Sequence, residues 1–131
     1  MERLQIQETK RSPLIDFDPQ TGIMTMSGKS IPEYTDVFYN PITEWVTHYC
    51  ENPAEETTFD CNFEYLNSSS KKVLLDMLKM VKAKDIPLKV KWRHEKDLDD
   101  IMDEGVLLGK LCDIEFEMCP YELEDDEEFE F

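Results

Sequence analysis

Two hydrophobic periods alternate along the chain, one of about two residues and one of about three and a half. Leu4 and Ile6 alternate with polar neighbours, as in a short edge strand or an extended arm. Pro13-Leu14-Ile15-Asp16-Phe17-Asp18 and Ile23-Met24-Thr25-Met26-Ser27-Gly28 flank the turn signal Asp18-Pro19-Gln20-Thr21-Gly22. Two short runs around a Pro- and Gly-containing turn predict a β-hairpin.

The helical period then takes over. Ser30-Ile31-Pro32-Glu33 carries a capping-box spacing with proline in the first turn. It predicts a helix over residues 32–51, with Phe38, Ile42, Trp45, Val46 and Tyr49 on one apolar face. Pro41 lies inside and predicts a kink or a split, since proline supplies no backbone donor.

Thr57–Leu66 alternates again, with Phe59, Cys61, Phe63 and Tyr65 on one side of a strand. Asn67-Ser68-Ser69-Ser70 follows, then a helix over 71–84 with Val73, Leu74, Met77, Leu78 and Val81 as its stripe. Leu88, Val90 and Trp92 mark a further strand, and residues 97–111 a third helix through Ile101, Met102, Leu107, Leu108 and Leu111. Gly105 and Gly109 weaken that helix or let it pack closely. Ile114, Phe116 and Met118 suggest a last strand. The fold class is therefore α/β: a mixed β-sheet whose parallel strands are joined through helices covering one face or both.

The 131 residues fit a single domain, assigned to residues 1–119, with residues 120–131 as an acidic tail expected to be disordered. A net charge of −16 disfavours nucleic acid and anionic membranes as partners. Residues 1–10 hold no apolar run, so no signal peptide is expected, and no stretch approaches a membrane span. Cys50, Cys61, Cys112 and Cys119 form no C-x-x-C pair, and His48 and His94 stand far from them in sequence. A zinc site is not expected, and a reducing cytoplasm with free thiols is.

Chemistry is sparse. The four glycines form no phosphate-cradling loop, so no cofactor is called for. Asp97, Asp99, Asp100, Asp103 and Glu104 lack the glycine and the closing glutamate of a calcium loop. They suit the start of a helix, where carboxylates complement the dipole. A serine hydrolase would need a base, and neither histidine offers a triad-like context. An enzyme is not expected.

The informative segment joins the strand ending at Leu66 to the helix beyond it. Asn67 or Ser68 can cap that helix. A hydroxyl there also suits a covalent switch. Phosphorylation adds about two negative charges, which a helix N-terminus tolerates. Capping and switching both remain open on the residues alone, as does the choice among Ser68, Ser69 and Ser70.

A series of motifs now carries a resemblance. Ser12-Pro13-x-Ile15-Asp16-Phe17-Asp18-Pro19-x-Thr21-Gly22 is followed by Met26-Ser27-Gly28-Lys29-Ser30-Ile31-Pro32-Glu33. Then come Phe38-Tyr39-x-Pro41, Glu44-Trp45, Phe63-Glu64-Tyr65-Leu66-Asn67-Ser68-Ser69-Ser70-Lys71, Trp92 and Asp99-Asp100-x-Met102-x-Glu104-Gly105. In this order they resemble the SiaC family of bacterial biofilm-regulation phosphoproteins. The resemblance implies a fold like that of the STAS domain, the anti-sigma-factor antagonists. It also implies a partner-switching role. The unmodified protein would bind and activate a diguanylate cyclase, raising cyclic di-GMP. A dedicated Ser/Thr protein kinase would modify it and a PP2C-type phosphatase would reset it.

The residue after Tyr-Leu-Asn is the implied phosphoacceptor. Here it is Ser68, where the family pattern favours threonine, and serine keeps the hydroxyl. Leu66, Asn67, Ser69, Ser70 and Lys71 are the expected partner-binding residues around it. A constitutive interaction module, using the same loop without a covalent switch, is the alternative.

Overall fold

The structure, a computed structural model, describes residues 1–122. The chain runs β1 (Leu4–Ile6), β2 (Leu14–Asp18), β3 (Ile23–Ser30), α1 (Thr35–Tyr49), β4 (Thr57–Leu66), α2 (Ser68–Ala83), β5 (Leu88–Glu95), α3 (Asp99–Cys112) and β6 (Glu117–Tyr121). One six-stranded sheet keeps the strands in chain order. β1, β2 and β3 pair antiparallel, and β3 through β6 pair parallel.

Each parallel step crosses over through a helix. Right-handed crossovers along a sheet that grows in one direction put all three helices on one face. The alternation in the strands agrees. Phe17, Met24, Met26, Phe59, Cys61, Phe63, Val90 and Trp92 point inward to one core shared with α1, α2 and α3. Asp16, Thr25, Asp60 and Lys91 stand on the other face, aligned across neighbouring strands. Parallel strands are usually covered on both faces; here the face that no described helix covers is polar instead. Arg93 donates to both carboxylate oxygens of Asp60, at 2.7 and 2.9 Å. Arg3 does the same to Asp16, at the same two distances, and holds that carboxyl below its usual range chiefly through this hydrogen bond.

Several expectations change in the folded chain. Ser30 caps no helix. It ends β3 fully buried, and α1 starts at Thr35 behind Tyr34, which makes no side-chain cap. Pro41 neither splits nor ends α1, which continues to Tyr49. Pro41 is exposed, as is Val37 four residues earlier, so water can solvate the carbonyl left without a donor.

Tyr65 does not share a side with Phe63. The pairing slips between Gly28/Lys29 and Phe63/Tyr65, leaving Glu64 as an extra residue. This bulge turns Tyr65 outward and Leu66 inward. On α3, Leu107 and Leu111 are exposed, and Gly105, Leu108, Gly109 and Cys112 are buried. The sheet side of α3 is set by the two glycines. A Cβ at Gly105 would lie only 2.4 Å from Trp92 Cδ1. β6 continues through Pro120 and Tyr121, beyond residue 119. Of the acidic tail, residues 123–131 lie outside the described residues.

Candidate functional site

Where a helix begins, its first N–H groups lack partners and must find them elsewhere. At α2 the solution is Asn67. Its Oδ1 accepts from Ser70 N at 2.9 Å and from Ser69 Oγ at 3.2 Å. Asn67 N in turn donates to the Ser30 carbonyl at 3.0 Å, which ties the turn to the end of β3. Asn67 is the cap, and the helix takes in all three serines rather than starting at residue 71.

The serines have three different environments. Ser70 is fully buried. Its Oγ donates to the Ser30 carbonyl at 3.1 Å and accepts from Ser30 Oγ at 2.7 Å. Ser30 Oγ is 2.5 Å from Tyr39 OH. With both serine donors committed, the Tyr39 hydroxyl donates into this chain, which leaves every member satisfied. Burial, first of all, pushes the Tyr39 phenol above its ordinary value.

Ser69 turns toward α1 and sits 2.7 Å from Thr35 Oγ1. Ser68 is exposed, and its hydroxyl makes no hydrogen bond among the described residues. Lys71 turns the other way, toward α3, where its Nζ donates to Glu104 Oε1 at 2.7 Å.

Two of the residues expected at the contact surface lie inside instead. Leu66 is 3% exposed because the bulge points it into the core, and Ser70 is closed in by Ser30 and Tyr39. Asn67, Ser69 and Lys71 stay at or near the surface beside Ser68.

The folded chain adds residues that periodicity had not singled out. Tyr34 and Val37 are 69% and 75% exposed at the start of α1, next to the Thr35–Ser69 contact. Leu98 is also exposed, and so is Tyr65, which the alternation had placed beside Phe63. For Tyr34, Val37 and Leu98 the signal in the sequence is only negative, since each is apolar but lies off the apolar stripes; for Tyr65 the alternation pointed the wrong way, toward the side of Phe63.

A groove of about 840 Å³ opens beside this turn, at the carboxyl ends of the parallel strands. Open α/β sheets commonly bind their ligands at that edge. Tyr65, Leu98 and Ile101 supply its apolar wall, and Glu64, Glu95 and Glu104 are among its carboxylates. Burial and then the Glu95 and Glu64 carboxylates push the Tyr121 phenol up. Among the described residues no group of His, Cys, Asp or Glu has the arrangement of a metal site, and no helix is long and apolar enough to cross a membrane. Cys61 is fully buried, which pushes its thiol up and away from nucleophilic use.

Comparison with known proteins agrees with this architecture. The family model described as SiaC family regulatory phosphoprotein matches residues 6–121. An uncharacterised protein of Pseudomonas aeruginosa strain UCBPP-PA14 is 27% identical over 119 residues, 88% of this chain and 94% of that protein. The apo-SiaC crystal structure from Pseudomonas aeruginosa superposes with a TM-score of 0.76 at 25% identity, covering 92% of this chain and 98% of that one. SiaC in the crystal structure of the diguanylate cyclase SiaD with its activator, from the same organism, has a TM-score of 0.84 at 23% identity. That match covers 90% of this chain and 99% of the other.

Proposed function

The chain belongs to the SiaC family of regulatory phosphoproteins, and from that premise we propose that it is a phosphorylation-switched adaptor with Ser68 as the switch. In the unmodified state it binds and activates a diguanylate cyclase, as the SiaC of the SiaD complex does for its own cyclase. A dedicated Ser/Thr kinase moves the γ-phosphoryl group of ATP to Ser68 Oγ. The bond to ADP breaks, the Oγ–P bond forms, and the hydroxyl proton leaves. A PP2C-type phosphatase restores the hydroxyl with water and releases phosphate. The adaptor works in the cytoplasm, where its four unpaired thiols stay reduced.

The observation that carries the site is the contrast among three neighbouring serines. Ser70 is enclosed; Ser68 and Ser69 are both exposed, but the Ser69 hydroxyl is engaged with Thr35 and Asn67, and among the described residues only the Ser68 hydroxyl is uncommitted. A kinase must bring the acceptor oxygen in line with ATP, which an exposed side chain on a capped helix turn allows. The partner surface around it consists of Asn67, Ser69 and Lys71, extended by the exposed Tyr34, Val37 and Tyr65. A partner that packs on these apolar side chains buries the neutral Ser68 hydroxyl. A dianionic phosphate in the same place must be desolvated, and binding weakens.

Incubation with the cognate kinase and ATP, followed by peptide mass spectrometry, is expected to find the phosphate on Ser68. Phosphate found only on another residue, Ser69 and Ser70 included, removes the assignment. In a cyclase assay Ser68→Ala retains activation and Ser68→Asp loses most of it. Equal activation by the two variants favours a constitutive interaction module.

A further inference from the structure

Ser68 stands one helical turn before Lys71 and Lys72. Residues three and four apart on a helix are neighbours, about 5–6 Å between Cβ atoms. The Cα–Cβ bonds of a helix tilt toward its N-terminus, so either lysine can reach back to Ser68 once released from its present partner. The two differ in what they already hold. Lys72 faces solvent and pairs with Asp76 on its own helix at 2.8 Å. Lys71 crosses to α3 and pairs with Glu104 at 2.7 Å, with each side chain 30% exposed. Lys71 is also the only cation among the described residues that line the groove.

On the reading that Ser68 is the modified residue, we propose that its phosphoryl group draws Lys71 away from Glu104 and so unlatches the start of α3 from α2. Lys71 is then the intramolecular receiver of the signal, and the groove is where the signal is displayed. A phosphate carries about twice the charge of a carboxylate, so at equal distance its pull on the ammonium is about twice as strong. It also sits on the same helix as Lys71, so pairing does not require two elements to stay docked.

The carboxylate left behind finds no second cation among the described residues that line the groove. Glu104 lies four residues after Asp100 on α3, and like charges at that spacing repel. Asp99 and Asp100 occupy the first turn, and the Leu98 N-cap makes no side-chain hydrogen bond. The start of α3 is then held by Trp92 Nε1, which donates to the Ile101 carbonyl at 2.7 Å. The groove rim changes in shape and becomes wholly acidic, so a partner reading it senses more than the phosphate itself.

The test installs phosphoserine at position 68 by genetic encoding, which makes it independent of any kinase. Phosphorus NMR then follows the phosphate's second ionisation, near pH 6 for a free phosphoserine. Lys71→Met is expected to raise that pKa by roughly half a unit, the scale of a partly exposed ion pair. Lys71→Arg restores it, and Lys72→Met leaves it in place. Amide exchange over residues 99–104 is expected to quicken severalfold on phosphorylation. In unmodified Lys71→Met it is already fast, and phosphoserine adds nothing further.

Identical titrations for Lys71→Met and the unsubstituted chain would overturn the proposal. So would a shift produced by Lys72→Met in its stead, or α3 exchange that ignores the phosphate. The two readings fail separately. A kinase that modifies another residue removes Ser68 as the switch but leaves the titration result standing. A flat titration removes the Lys71 relay and leaves Ser68 as the switch.

Discussion

The starts of α2 and α3 lie side by side at the same edge of the sheet, and they are held in opposite ways. α2 is bolted from within: Asn67 caps it, Ser70 roots it in a buried hydroxyl chain, and Ser69 ties it to α1. α3 has no side-chain cap and an acidic first turn, and rests on the Trp92 indole and the Lys71–Glu104 pair. The difference matters for a switch. A modified residue needs a platform that keeps its shape, and a response needs a neighbour whose attachment is weak enough to change. Burial supplies the first, and partly solvated charge supplies the second.

The largest perturbation removes the inner support of α3. Trp92 is fully buried, and Trp92→Ala is expected to lower the unfolding free energy by about 4 kcal/mol, read from urea denaturation. An unchanged midpoint would show that the indole is not what holds α3. Next comes the root of α2. Ser70→Ala leaves the buried Ser30 hydroxyl without its acceptor and should cost about 2 kcal/mol in the same measurement.

The hydroxyl chain also adds to the protein's alkaline sensitivity, beside the buried Cys61 thiol. Burial raises the folded pKa of Tyr39, so the folded protein keeps a proton that the unfolded chain releases. Its contribution is complete below the ordinary tyrosine pKa, near 10, and is lost as pH rises through the folded value. Tyr39→Phe should flatten this part of the stability–pH curve. A curve still steep above that pH would assign the dependence to other groups.

Smaller still is the cap. Asn67→Ala should cost about 1 kcal/mol, seen as a lowered melting temperature. The least effect on stability belongs to Glu104→Gln, at under about 1 kcal/mol and fading with added salt. A cost as large as that of Ser70→Ala would erase the contrast between the bolted helix and the latched one.

Much of this was legible in the chain. Thr57–Leu66 is a strand over the expected residues, and the helical stripe of Leu74, Met77, Leu78 and Val81 is buried. Where the reading failed, a contact distant in sequence decided the outcome. Ser30 has the spacing of a capping box, yet its hydroxyl is claimed by Tyr39 and Ser70. Leu66 looked like a flanking contact until the bulge opposite Gly28 and Lys29 turned it inward. Leu107 and Leu111 have the right period for a core, but the close approach of Gly105 to Trp92 rotates α3 so that they face out.

By itself the amino-acid order determined the alternation of strand and helix, the absence of phosphate-cradling and metal-binding motifs, and the serine cluster after Tyr-Leu-Asn. These are local matters, carried by period, spacing and side-chain type. Only the tertiary structure decided that Ser70 is buried while Ser68 and Ser69 stay exposed, and that of those two Ser69 is hydrogen-bonded. It also decided that Lys71 meets Glu104 and that the described helices all pack on one face of the sheet. Those outcomes depend on groups tens of residues apart meeting within hydrogen-bond distance, and no local pattern records a distance through space.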